Sequence, residues 1–354
     1  MSYFALYDDL VLILLLSLLV FACLKFMLRK TQSFRVVLLV ELVLVAAVAV
    51  IAGWAISERP GDIEGDTAVY LAFFDTMSAG RENPFSTFEP GFVWLTKVVA
   101  AFGLDARALF FLVPVVLAFS YRHLAARVFG PRSAMTVVVF AALLIYPFFL
   151  SLTANVIRQG LGMALVFYVM SQLLDDRPFR ARASALVALL FHRSTVILLP
   201  WVFFRRTCQR IPLWLVLLVW AGASVASYLS MFKLMATLAF DQLAALGFSV
   251  NYGDTANIDY VTGFRWSFWL FSSLSVVLLV LLKVLGFYHE RAAMVFKMSC
   301  YFGIVHILMF DLAYNDRFGL YAWMLYPIQL LYLGRCVLIR LGQPVVARPE
   351  KCVS

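Results

Sequence analysis

The sequence predicts an all-α polytopic membrane protein, and three observations predict it. Of 354 residues, 64% are hydrophobic and 14% charged, with a mean hydropathy of +0.91, a balance that no soluble domain of this length shows. Apolar runs of about 18 residues or more, enough for a helix to cross the hydrocarbon core, recur from end to end. Basic residues collect in some of the breaks between runs and not in others, the asymmetry that sorts cytoplasmic loops from outer ones. That sorting accounts for the net charge of +9, and nucleic acid is not expected as a partner.

The N-terminal stretch MSYFALYDDL carries two Asp and no basic residue. A signal peptide would place positive charge there, so 10–28 is read as the first span, ending at Arg29, Lys30 and Arg35. The second, 36–56, stops at SERPGD. A polar segment, 57–88, follows. Next comes 90–104, apolar but with Lys97 inside; at 1.5 Å per residue it covers about two-thirds of the core, which predicts a half-helix or re-entrant piece. Spans at 107–121, 134–150 and 155–174 come next, the first running into Arg122, Arg127 and Arg132.

Residues 183–204 are apolar but interrupted by His192 and Arg193. Arginines flank them on both sides: Arg177, Arg180 and Arg182 before, Arg205, Arg206 and Arg210 after. Two basic flanks predict a hairpin that dips in and returns; a simple crossing, the alternative, leaves one basic cluster outside. A span at 213–231 leads to a second polar loop, 232–263, which mixes a short amphipathic helix with Gly/Asn/Asp turns. Spans at 264–285, 292–312 and 318–338 complete the chain. The expectation is about nine full spans plus two short pieces in one integral membrane domain, with a first outer loop and half-helix at 57–106. The N-terminus is expected outside and the C-terminus in the cytoplasm. The five cysteines, Cys23, Cys208, Cys300, Cys336 and Cys352, have neither metal-ligand nor disulfide spacing.

The stretch 65–92, GDTAVYLAFFDTMSAGRENPFSTFEPGF, is too polar for hydrocarbon and too aromatic for a solvated linker. Asp66, Tyr70 and Phe74 recur at helical spacing and share a face. Glu89 directly precedes Pro90, which favours the first turn of a helix, and a carboxylate there faces the positive end of the peptide dipoles and stays ionised. Asn155, Arg158 and Gln159 occupy one turn in NVIRQG. Arg265 begins a span in FRWSFW, and Asp316 and Arg317 sit in AYNDRFGLYAW with Tyr321 one turn on. Taken singly, such arginines anchor lipid phosphates or pair with Asp66, Glu89 or Asp316. Several on one outer face suggest a shared pocket for an anionic lipid-linked substrate, because guanidinium forks bind diphosphate bidentately and never deprotonate. His192 reads either as a polar group satisfied between helices or as a proton relay.

In this order, Asp66-x3-Tyr70-x3-Phe74, Glu89-Pro90-Gly91-Phe92, Asn155-x2-Arg158-Gln159-Gly160, His192-x-Ser194 and Asp316-Arg317-x3-Tyr321 make a pattern that resembles the EpsG family, Wzy-like polysaccharide polymerases of bacterial exopolysaccharide and O-antigen clusters. The resemblance runs from about Asp66 to Tyr321. It implies a GT-C-like multi-pass glycosyltransferase of the bacterial inner membrane. Such an enzyme joins undecaprenyl-diphosphate-linked oligosaccharide repeat units on the outer face, with no nucleotide sugar, metal or cofactor. Its partners would be the lipid-linked oligosaccharide and membrane lipids, with a chain-length regulator as a further candidate. The residues assigned on this reading are Arg158, Arg265 and Arg317 for the diphosphate, and Glu89 or Asp66 as proton acceptor with His192 as the other candidate. Tyr70, Asn155, Gln159, Asp316 and Tyr321 would place the substrate. A flippase or transporter of the same glycan lipid, a membrane O-acyltransferase and an O-antigen ligase are the alternatives.

Overall fold

The computed structural model describes residues 4–28, 34–61, 66–81, 88–233 and 261–341, and among these it is helical with no strand. Most of the expected second outer loop (234–260), the Arg29 and Lys30 turn and the basic tail beyond 341 lie outside the described residues. The chain divides into two compact units, Met1–Phe203 and Phe204–Ser354.

The first unit contains α1 (Ala5–Leu28), α2 (Phe34–Ser57), α3 (Thr67–Ser78), α4 (Pro90–Ala101), α5 (Ala106–Phe129), α6 (Met135–Leu144), α7 (Pro147–Leu150), α8 (Ile157–Leu174), α9 (Pro178–Phe191) and α10 (Leu199–Phe203). A wide π turn, Ser151–Asn155, joins α7 to α8, and a 3-10 turn, Arg193–Leu198, joins α9 to α10. The second unit contains α11 (Arg205–Arg210), α12 (Leu213–Tyr228), α13 (Trp266–Val284), α14 (Glu290–Leu308), α15 (Asp316–Trp323) and α16 (Tyr326–Leu341).

Among the described residues seven helical stretches are long and apolar enough to span a membrane: α1, α2, α5, α8, α13, α14 and the stretch from α15 through α16. Two of the expected nine spans differ, each for a local reason. The run at 134–150 breaks where Tyr146 precedes Pro147; a residue before proline is driven out of the helical region, and Tyr146 sits at φ −83, ψ 121. The pieces on either side bend by 65° and together make an eighth candidate span. The run at 213–231 forms only the 16 residues of α12, about 24 Å at the helical rise, and ends before Ser230, whose φ is +51.

Three helices of the first unit are tied by buried charge. Glu41 of α2 is wholly buried and accepts from Lys25 of α1 and from Arg122 of α5, the latter at 2.5 Å. Lys25 also donates to the Pro131 carbonyl at 3.0 Å, so the end of α1 lies beside the end of α5. Two cations on one carboxylate satisfy groups that would each be costly alone. The basic patch expected at Arg122 is thus in part an internal clamp.

Small residues let the helices around the site approach closely. A Cβ on Gly91 of α4 would meet the Leu190 carbonyl oxygen of α9 at 2.7 Å, and one on Gly162 of α8 would meet the His192 Cβ at 2.9 Å. The chain doubles back at His192: α9 leads up to it, and Phe203 at the end of α10 returns to lie 5.6 Å beneath the guanidinium of Arg182, near the start of α9.

Candidate functional site

Glu89 is the centre of a buried polar cluster in the first unit. Its backbone is extended (φ −68, ψ 144), with Pro90 in the first turn of α4, as the sequence spacing predicts. The carboxylate does not cap the helix, however. It turns instead to groups from two other segments. Arg158, in the first turn of α8, donates from Nη1 to Oε2 at 2.5 Å. His192 Nδ1 stands 3.2 Å from Oε1, and the backbone N–H of Arg193 donates to the same oxygen at 3.2 Å. Glu89 and His192 are each 3% exposed.

Burial alone would push the Glu89 carboxyl up. The hydrogen bond to His192 and the charge of Arg158 outweigh it and hold the group down at about 2. The carboxylate is therefore ionised at neutral pH and can only accept hydrogen bonds. His192 Nδ1 must then carry the proton in that contact, which leaves Nε2 as the ring's other nitrogen.

An aromatic group surrounds these charges. The Arg158 guanidinium lies 4.1 Å from the Phe88 ring centroid, a cation–π contact that also keeps water off the pair. Tyr70, Phe73, Phe88 and Phe92 meet ring to ring at 4.8–5.9 Å. The Tyr70 hydroxyl reaches Arg158. Phe74 belongs to the same buried cluster rather than to an open surface. Asp66 precedes α3 as its N-cap without a side-chain cap bond. Gln159 is buried and Asn155, the last residue of the π turn, is exposed.

Arg59, which the sequence leaves among the basic residues at the outer rim, belongs to this surrounding shell. It is buried, lies 3.7 Å over the Phe110 ring, and donates to Thr67 Oγ1 and to the Ile56 carbonyl. The signal for it was an arginine just past the end of an apolar span.

Arg265, Asp316, Arg317 and Tyr321 belong to the second unit. Arg265, the N-cap of α13, lies 3.6 Å over the Phe268 ring and donates to Asn315 Oδ1 at 3.3 Å. Arg317 lies 4.4 Å over the Tyr314 ring. Tyr321 is wholly buried, 5.9 Å from Phe302. Two further polar residues, neither marked by the sequence, sit behind Arg265: Asn315 and His306, both fully buried.

The model of the EpsG family matches residues 42–340. No curated protein and no solved structure matches the chain.

Proposed function

The chain belongs to the EpsG family, a family associated with polysaccharide polymerisation, and from that premise we propose that it is a membrane glycosyltransferase that joins oligosaccharide units carried on a polyprenyl diphosphate. The observation that carries this reading is the buried Glu89–Arg158–His192 cluster, in which a carboxylate, a guanidinium and an imidazole from three segments share hydrogen bonds.

In the proposed reaction a hydroxyl oxygen of the acceptor sugar attacks the anomeric carbon of the donor. The bond from that carbon to the diphosphate oxygen breaks, and the lipid diphosphate leaves with the electron pair. The hydroxyl proton passes to a base. Glu89 is ionised but weakly basic at about 2, and general bases work best with values near the operating pH. His192 is the better acceptor, through Nε2, with Glu89 fixing its ring and stabilising the imidazolium that forms. Arg158 supplies positive charge beside the developing negative charge, and Tyr70 with the neighbouring rings offers a face for sugar. Asp66 is the second carboxylate of the first unit on this reading. Arg265 and Arg317 are the second unit's guanidiniums for a lipid-linked diphosphate, with Asp316, Tyr321, Asn155 and Gln159 as supporting groups. The outer face of the bacterial inner membrane is the proposed location, and an undecaprenyl chain the proposed carrier.

The test compares Glu89→Gln, Arg158→Ala and His192→Gln at matched membrane levels in a strain lacking the gene. Polymer yield on gels is expected to fall by about 10²-fold or more for each, with single repeat units accumulating on the outer face. Full-length polymer from all three variants sinks the reading, and accumulation on the cytoplasmic face favours a transporter.

A further inference from the structure

Resting on that reading, we infer that Asn315 is a positioning residue that sets the Arg265 guanidinium for a lipid-linked diphosphate. The amide of Asn315 is wholly buried. Its Nδ2 donates to two backbone carbonyls, Phe310 at 2.9 Å and Leu312 at 3.1 Å. Both amide hydrogens are thereby used, so the side chain cannot flip, and Oδ1 is the atom left facing Arg265 Nη2 at 3.3 Å.

The same Phe310 carbonyl also accepts from the Gly263 backbone N–H at 2.8 Å. One buried side chain thus fixes both ends of the arginine: the backbone that leads into it, through the shared carbonyl, and the guanidinium itself. Gly263 makes the turn at φ +99, where a side chain would be strained. The Phe268 ring, 3.6 Å below the guanidinium, completes a three-sided holder.

A second buried layer keeps Asn315 in place. Trp323 Nε1 donates to Ser272 Oγ at 3.0 Å, and Ser272 Oγ stands 2.6 Å from His306 Nδ1. The indole can only donate, so the serine hydrogen goes to Nδ1. The His306 ring lies 4.9 Å from Phe310 and beside the Asn315 side chain. Gly303 permits this approach: a Cβ there would meet the Ser272 carbonyl oxygen at 2.7 Å. Lysine could not replace Arg265 in such a holder, because a point charge has no planar fork to be oriented.

The experiment titrates the full chain, in nanodiscs of phosphatidylethanolamine and phosphatidylglycerol, with farnesyl diphosphate, and with inorganic diphosphate to separate a lipid-linked from a free anion. Arg265→Lys and Asn315→Leu are each expected to weaken farnesyl diphosphate about tenfold. Added to Arg265→Ala, Asn315→Leu should cost nothing further, since its effect runs through that side chain. Undiminished loss in the Arg265→Ala background marks Asn315 as merely structural and overturns the inference. Wild-type affinity in Arg265→Lys, a conservative change that stands even if Asn315→Leu does not fold, overturns it too. Inorganic diphosphate binding as tightly as the farnesyl compound overturns the lipid-linked assignment. Wild-type affinity in Arg265→Ala removes the diphosphate role of Arg265 itself, a failure of the preceding reading rather than of the holder.

Discussion

At the scale of the residue, Glu89 shows how a carboxylate can be ionised and yet unsuited to take a proton. Its folded value of about 2 lies below the ordinary ~4.3. Such a depressed group stabilises the fold fully above the ordinary value and loses that contribution as pH falls towards the folded one. Melting curves of the wild type and Glu89→Gln should therefore run parallel between pH 5 and 8 and converge below about pH 4. An activity limb between pH 5 and 8 must come from a group other than Glu89. The sequence announced Glu89 through the proline after it, and Arg158 through its place at the start of a span. It could not announce their pairing, since they stand 69 residues apart and His192 103 from Glu89. Asn315 was still less legible. An asparagine in a turn usually bonds its own backbone, and only the position of the Phe310 carbonyl shows which amide atom is left for Arg265.

At the scale of the element, the helices followed from hydropathy wherever a run was long and unbroken, as in α1, α2, α5, α13 and α14. The break in 134–150 was written in the sequence as Tyr146-Pro147, but an apolar run on both sides concealed it. Glu41 was concealed in the same way. It sits inside a span that reads as plain hydrocarbon, although an ionisable group at that depth signals a partner. Its two cations come from helices on either side in the sequence, and no periodicity links them. The clamp predicts an asymmetry between breaking and replacing it. Glu41→Leu strands two buried cations and should cost about 3–5 kcal/mol, whereas Lys25→Met, Glu41→Leu and Arg122→Met together should recover most of that loss. Thermal melting in detergent, with membrane abundance as a second readout, checks both.

At the scale of the whole molecule, the distribution of arginine and lysine predicts the orientation of the ends. The end of α1 and the end of α5 share a level through Lys25 and Pro131, so the breaks near 30 and 131 face the same compartment. The positive-inside rule predicts the cytoplasm for that compartment. Alkaline phosphatase fused after Gly103 is expected to be active, and fused after Gly130 or Leu341 to be inactive; green fluorescent protein should give the reverse. Activity after Gly130 would turn the first unit over and put Glu89 on the wrong side for an outer-face reaction. Each unit also holds an arginine over a phenylalanine ring, bonded to a buried acceptor with a histidine behind it: Arg158 with Phe88, Glu89 and His192, and Arg265 with Phe268, Asn315 and His306. The acceptor is a carboxylate in one and an amide in the other, and that chemical difference is visible only once the residues are side by side.

The wide turn at Ser151–Asn155 has a consequence for how such a chain can vary. Its closing bond runs from the Val156 N–H to the Ser151 carbonyl, one residue further than an ordinary helix would reach. Losing a single position there would let the turn tighten without unfolding anything, but it would shift the azimuth of what precedes Arg158 by about 100°. The phase between the bent span and the site-bearing helix is therefore stored as a count of residues, so an indel in a greasy, featureless tract can silence the chemistry while every charged side chain is retained.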